Sequence, residues 1–154
     1  MTTWNRPFPP STLGQVEQFE ESIGASVPPA YRKYLLSQNG GSPSDYLEFR
    51  IPAVADDKGG VMLGAIYGIG KRGSGMDLET QYEELNDVVP QGYIPIGEDP
   101  GGNLLLLAIH EPSRDNIVFW DRVGLLARET GQKMFPVADD INQFLESLRV
   151  MRNT

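Results

Sequence analysis

A chain of 154 residues, 40% hydrophobic and 22% charged, has the length of one domain and enough apolar side chains to bury a core without covalent staples. It contains no cysteine and a single histidine, His110, which excludes disulfides, thiol nucleophiles and zinc centres built from cysteine or histidine clusters. Thirteen basic against twenty-one acidic residues leave a formal charge of −8; this balance repels phosphate backbones and anionic lipid, so nucleic acid and membrane are poor ligands, and the acidity reads either as ordinary solubility or as attraction to a basic partner protein.

Residues 1–10 carry Trp4, Arg6 and three prolines without an apolar stretch, so they are expected to be extended rather than to act as a secretory or transit segment. Ser11 is placed to cap a first helix whose stripe is Leu13, Val16, Phe19 and Ile23, with Gly24 as its end. Pro28 suits the first turn of a second helix with Tyr31, Tyr34 and Leu35 toward the core, closed by Asn39-Gly40-Gly41.

The pattern then shortens. Tyr46 to Ile51 and Val61 to Tyr67 read as strands of a hairpin whose turn is Asp56 to Gly60. Leu78, Tyr82, Leu85 and Val89 return to helical spacing until Pro90. Strands resume at Tyr93 to Ile96, Leu104 to Ile109 and Ile117 to Trp120, with turns at Glu98 to Gly102 and Glu111 to Asn116. Pro95 predicts an edge position for the first of these. Asp139 or Asp140 caps a last helix with Ile141, Phe144, Leu145 and Leu148 on its apolar face, and Arg149 and Arg152 suit its C-terminal dipole. Helices at both ends with strands between predict a single α+β domain over residues 1–154. The longest aliphatic run, Leu104 to Ile109, is too short to span a bilayer, and the expected location is cytoplasmic.

Tests for catalytic and cofactor motifs give little. Gly68-Ile69-Gly70-Lys71-Arg72-Gly73 matches G-x-G-x-x-G after a strand, but Ser74-Gly75-Met76 separate its third glycine from the helix near Asp77 and no βαβ series surrounds it. Nucleotide binding through Gly68–Gly73 is therefore an alternative to the simpler reading as a flexible glycine-rich loop. Arg72 follows Lys71 where a P-loop needs Ser or Thr, and Ser74 has Arg72 and Met76 where a nucleophile elbow needs glycines. His110 at a strand end lacks any identified nucleophile to serve, and Glu98 to Asn103 lacks the spacing of a calcium loop. No catalytic residue, cofactor site or metal site is expected.

A family resemblance is carried by four stretches. Val27-Pro28-Pro29-Ala30-Tyr31-Arg32-Lys33-Tyr34-Leu35-Leu36-Ser37-Gln38-Asn39-Gly40-Gly41 resembles the hallmark of the SUKH superfamily, and Ile94 to Leu104, with Ile96-Gly97-Glu98-Asp99 and Gly101-Gly102-Asn103, resembles its central strand-turn-strand segment. Val118-Phe119-Trp120-Asp121 resembles the strand that follows, and Phe144 to Leu148 the terminal helix. The chain departs from the family at Leu106 and Leu107, near which an aspartate is common, and its Gly68 to Gly75 loop belongs to no family motif. The resemblance implies a mixed α+β fold with one central, strongly bent, mostly antiparallel sheet, helices packed on it, and no catalytic constellation. It also implies a protein-binding role, either as an immunity protein that neutralises a cognate bacterial toxin, such as a nuclease, or as a regulatory adaptor. Against a basic toxin, the acids Asp56, Asp57, Glu98, Asp99 and Asp121 are candidate contacts, with Tyr46 or Trp120 as an aromatic anchor.

Overall fold

The computed structural model describes residues 3–54, 60–124 and 133–151. The chain runs β1 (Trp4–Asn5), α1 (Leu13–Ile23), α2 (Pro29–Ser37), β2 (Ser42–Pro43), β3 (Leu47–Arg50), β4 (Gly60–Met62), β5 (Ala65–Ile66), α3 (Leu78–Leu85), β6 (Tyr93–Glu98), β7 (Leu104–Ala108), β8 (Ile117–Trp120), β9 (Met134–Ala138), α4 (Ile141–Ser147) and β10 (Arg149–Val150). This is the expected α+β architecture.

The strands form an antiparallel five-stranded meander, β5-β6-β7-β8-β9, a three-stranded ladder, β10-β3-β4, and the pair β1-β2. Segment 60–66 links the first two. Leu63 N–H donates to the Leu47 carbonyl of β3 (2.8 Å), and the next residue, Gly64, donates to the Glu98 carbonyl of β6 (2.9 Å). One extended stretch thus changes partner between adjacent residues, which bends the sheet. Gly41 bridges to Ile66 and brings the β1-β2 pair to the same place.

Strand β7 is buried along its whole length. On one face Leu105 and Leu107 join Ile94, Phe119 and Phe135 in the main core, together with Val16 and Phe19 of α1, Tyr31 and Leu35 of α2, and Ile141 and Phe144 of α4. On the other, Leu104 and Leu106 pack with Val89, and Leu85, Tyr93, Trp120 and Met134 close around them. A strand covered on both faces has no place for alternating polar residues. This accounts for the apolar Leu106 and Leu107 at adjacent positions.

Several local expectations shift. Thr12, not Ser11, caps α1 through a capping box with Gln15; Ser11 is buried, and its hydroxyl donates to the Leu35 carbonyl at 2.8 Å. Pro28 caps α2 and Pro29 opens it. Strand β6 is interior rather than at an edge. Pro95 is tolerated because β5 pairs only with Gly97 and Glu98, and because a bulge falls between Pro95 and Gly97. Helix α3 ends at Leu85, a turn early. At the C-terminus, Arg149 does not extend a helix but begins β10, opposite Glu48, with which it forms an ion pair at 2.9 Å; Arg152 lies outside the described residues. The β3–β4 hairpin forms with Phe49 opposite Val61; of its expected turn, Asp56 to Gly60, Gly60 already belongs to β4 and the rest lies outside the described residues.

Asn39-Gly40-Gly41 does more than terminate α2. Asn39 takes a left-handed φ of 58° and is fully buried. Its amide nitrogen donates to the carbonyls of Pro9 (2.8 Å) and Ile69 (2.9 Å), and its side-chain oxygen accepts from Ile69 N–H (2.8 Å). Arg6 adds a bond to the Gly40 carbonyl at 2.6 Å, and Gly40 N–H donates to the Tyr34 hydroxyl at 3.1 Å. The N-terminal segment, the end of α2 and the Gly68–Gly70 stretch are thereby tied together.

Asn39→Ala leaves several buried backbone groups without partners and is expected to lower stability by about 3 kcal/mol in urea denaturation. Gly68→Ala should be as harmful, because its methyl group would land on the Asn39 carbonyl oxygen. Tyr31 provides the opposite case. Its fully buried hydroxyl has no hydrogen-bond partner among the described residues, and burial, reinforced by the charge of Tyr34, pushes its pKa well up. Tyr31→Phe removes a desolvated polar group and should raise stability by about 1 kcal/mol in the same assay.

Candidate partner-binding surface

The structure gathers Glu98, Asp99, Trp120 and Asp121 at one end of the five-stranded meander. Glu98 stands opposite Leu104, and Leu104 opposite Trp120. The β6–β7 turn and the loop after β8 are joined there by a bond from Val123 N–H to the Asn103 side-chain oxygen at 2.9 Å. Tyr46 belongs elsewhere, at the entrance to β3, where its carbonyl accepts from Met151 N–H at 2.8 Å. Asp56 and Asp57 lie outside the described residues.

The gathered acids differ in role. Asp99 is buried, and its carboxylate accepts from Gly101 N–H (2.9 Å), Asn103 N–H (2.8 Å) and the Asn103 side-chain amide (3.0 Å). This is an aspartate turn satisfied from within. Asp121 is 1% exposed, and its side chain accepts from Gly124 N–H at 3.1 Å. Glu98 is half-buried and accepts from the Tyr67 hydroxyl at 2.9 Å. Burial and then the Glu98 charge push the Tyr67 phenol far up, so it stays a donor.

What this end of the sheet offers to solvent is therefore more apolar than the acid-rich sequence suggests. Trp120 is half-buried with the Arg122 guanidinium 5.6 Å from its ring centroid, and Val123 beside it is 54% exposed. Arg122 and Val123 were invisible to sequence reasoning, because a single apolar residue between Arg122 and Gly124 in a turn has no periodicity to mark it. Tyr46, in its separate position, is 72% exposed.

The Gly68–Gly73 motif is used internally. Gly70 packs so closely on the Phe8 ring that a methyl group there would overlap it, and Gly68 faces Asn39. Its neck is closed by hydrogen bonds from Gly68 N–H to the Met76 carbonyl and from Leu78 N–H to the Gly68 carbonyl. Arg72 is paired with Glu79 and Glu83. The third glycine lies before the helix rather than in its first turn, and the first two face packed atoms rather than open space. The expectation of a flexible loop is corrected at Gly68 and Gly70, both held in place.

His110 is exposed beyond the end of β7. Among the described residues no group of three or more His, Cys, Asp or Glu side chains is arranged to hold a metal, and no helix is long and apolar enough to cross a membrane.

The domain is α+β, with turn acids that are buried and satisfied from within and an apolar patch at one end of the meander. The sequence model of the SMI1 / KNR4 family (SUKH-1) matches residues 10–147, and the chain belongs to that family. The family is generally one of non-catalytic immunity and regulatory domains. No curated protein matches the chain.

The carboxylate at the start of α3 shows how acids are spent on architecture. Burial acts to raise the Asp77 pKa, but hydrogen bonds from the Thr80 hydroxyl (2.6 Å), Thr80 N–H (3.0 Å) and the Ser74 hydroxyl outweigh it and hold the group below its ordinary 3.8. A depressed carboxylate stabilises the fold above its ordinary pKa, and the contribution is lost as pH falls through the lowered value. Asp77→Ala should cost about 1 kcal/mol at pH 7, with the gap to wild type closing below pH 3.8 in denaturation curves taken across pH.

Proposed function

We propose that the protein is an immunity protein that works inside the cell by binding a cognate, basic bacterial toxin and blocking it. The observation that carries this reading is the family match over residues 10–147; the formal charge of −8 supports it. A toxin that acts on nucleic acid needs positive charge to hold phosphate, and an acidic inhibitor is drawn to it at a rate that falls with salt. Trp120 and Val123 at the sheet end, Tyr46 at the entrance to β3, and Glu98 are the contacts proposed here, with Asp56 and Asp57 as further acids. Asp99 and Asp121 take part by holding the loops that carry Glu98 and Trp120.

The test is capture of the binding partner on the tagged protein from its source cells, followed by expression of that partner alone and together with this chain. The expected result is a basic protein that stops growth alone and is silenced by co-expression, with an association rate that drops about tenfold or more between low and physiological salt. A captured protein that is harmless alone rejects the immunity role and favours a regulatory adaptor.

A further inference from the structure

A cleft of about 410 Å³ opens between the C-terminal ends of α1 and α3 and the start of β6, with Ile23, Tyr82, Asp87, Gln91, Tyr93 and His110 in its wall. Its size falls within the range of small-ligand sites. Among the described residues the lining contains one carboxylate, Asp87, and no lysine or arginine. Both helices end here without a basic residue in the last turn, so the negative ends of two helix dipoles border the cleft with no cation of their own against them.

The solvent faces beyond the rim have the same sign. Helix α1 carries Glu17, Glu20 and Glu21, and α3 carries Glu79, Glu83 and Glu84, with no cationic side chain in either. Three of these acids are paired, Glu20 with Arg32 and Glu79 and Glu83 with Arg72. Arg114 is turned to Ser26. None of those three arginines lines the cleft.

Of the polar side chains in the wall, Asn86 is engaged with the end of α3, donating to the Glu83 carbonyl at 3.4 Å, and the others are uncommitted. Tyr82, Asp87, Gln91, Tyr93 and His110 make no side-chain hydrogen bond or ion pair to another described residue. The backbone beneath them is braced. Val89 N–H donates to the Leu85 carbonyl, Tyr93 N–H to Pro90, and Ile109 N–H to Gly92 at 2.9 Å. A braced wall with free acceptors and aromatic rings binds without first reorganising.

We propose that this cleft is a receptor for an arginine side chain presented by a protein partner. A guanidinium satisfies the wall better than an ammonium, because its flat face suits the phenol rings while its fork of donors suits the Asp87 carboxylate and the Gln91 amide oxygen. A carboxylate or phosphate is opposed by Asp87 and by both helix ends. The inference rests on the reading of a basic protein partner only for what presents the arginine; the cleft's own preference is independent of it.

The test uses the whole protein, labelled with nitrogen-15, and two neutral-backbone probes, N-acetyl-arginine amide and its uncharged isostere N-acetyl-citrulline amide, titrated to tens of millimolar. The expected result is saturable shifts at Ile23, Tyr82, Asp87 and Tyr93 and at the ring protons of His110, the chain's one imidazole, with citrulline binding at least tenfold more weakly. Asp87→Asn, an exposed change that leaves the core intact, should weaken the arginine probe about fivefold. Absence of shifts, an equal response to citrulline, or an unchanged affinity in Asp87→Asn overturns the proposal. If the arginine probe binds while the captured partner proves harmless, the cleft assignment stands and the immunity role fails; if a toxin is captured and neutralised while the probe does not bind, the reverse holds.

Discussion

The buried side chain of Asn39 is the contact on which the rest of the arrangement depends. It sits where α2 has ended and the sheet has not begun, and it holds Pro9 on one side and Ile69 on the other. An unpaired amide there would cost more than the fold gains from any single apolar contact nearby. The close approach it needs is possible only because Gly68 has no side chain. From this anchor the chain passes through Ile66 into the meander and through Gly41 into the β1-β2 pair, so the position of both sheets relative to α2 is set by one amide and its glycine neighbours.

Acidity is distributed between two uses. Some carboxylates are architectural, because a buried charge persists only where donors surround it. Asp77 caps α3, Asp99 closes the β6–β7 turn, and Asp121 holds the loop after β8. Others, such as Glu17, Glu21, Glu84 and Asp87, stay on the outer surface of α1, of α3 and of the turn after it, and supply the long-range field. The net charge of the chain does not distinguish these populations, although only the second can meet a partner directly.

Much of the fold was legible. The stripe Leu13, Val16, Phe19, Ile23 and the run Leu104 to Ile109 announced α1 and β7, because long periodic or fully apolar segments reflect how many faces an element buries. The hairpin β3–β4 was legible from its flanking turn residues. Less legible were elements whose existence depends on a distant partner. Strand β10 is two residues long and forms because Glu48 lies opposite Arg149; strand β9 contains Pro136 and carries no clean alternation. Pro95 misled for a similar reason, since its cost disappears where the neighbouring strand stops short. Of the candidate contacts, the sequence marked Glu98, Asp99, Trp120 and Asp121 as members of two motifs, and these proved to be neighbours. It did not separate the buried acids from the accessible ones, nor find Val123 or Asp87.

By itself the sequence determined the class of this protein: an acidic α+β domain without the residues for thiol or clustered-histidine chemistry, carrying the hallmark stretch Val27 to Gly41 of its family. Those properties follow from composition and local order, which need no knowledge of what lies across the fold. Only the tertiary structure decided what each polar residue does. Burial and hydrogen bonding are properties of pairs remote in the chain, such as Asn39 with Ile69 or Asn103 with Val123, and the cleft at Asp87 exists only because the ends of α1 and α3 meet beside β6.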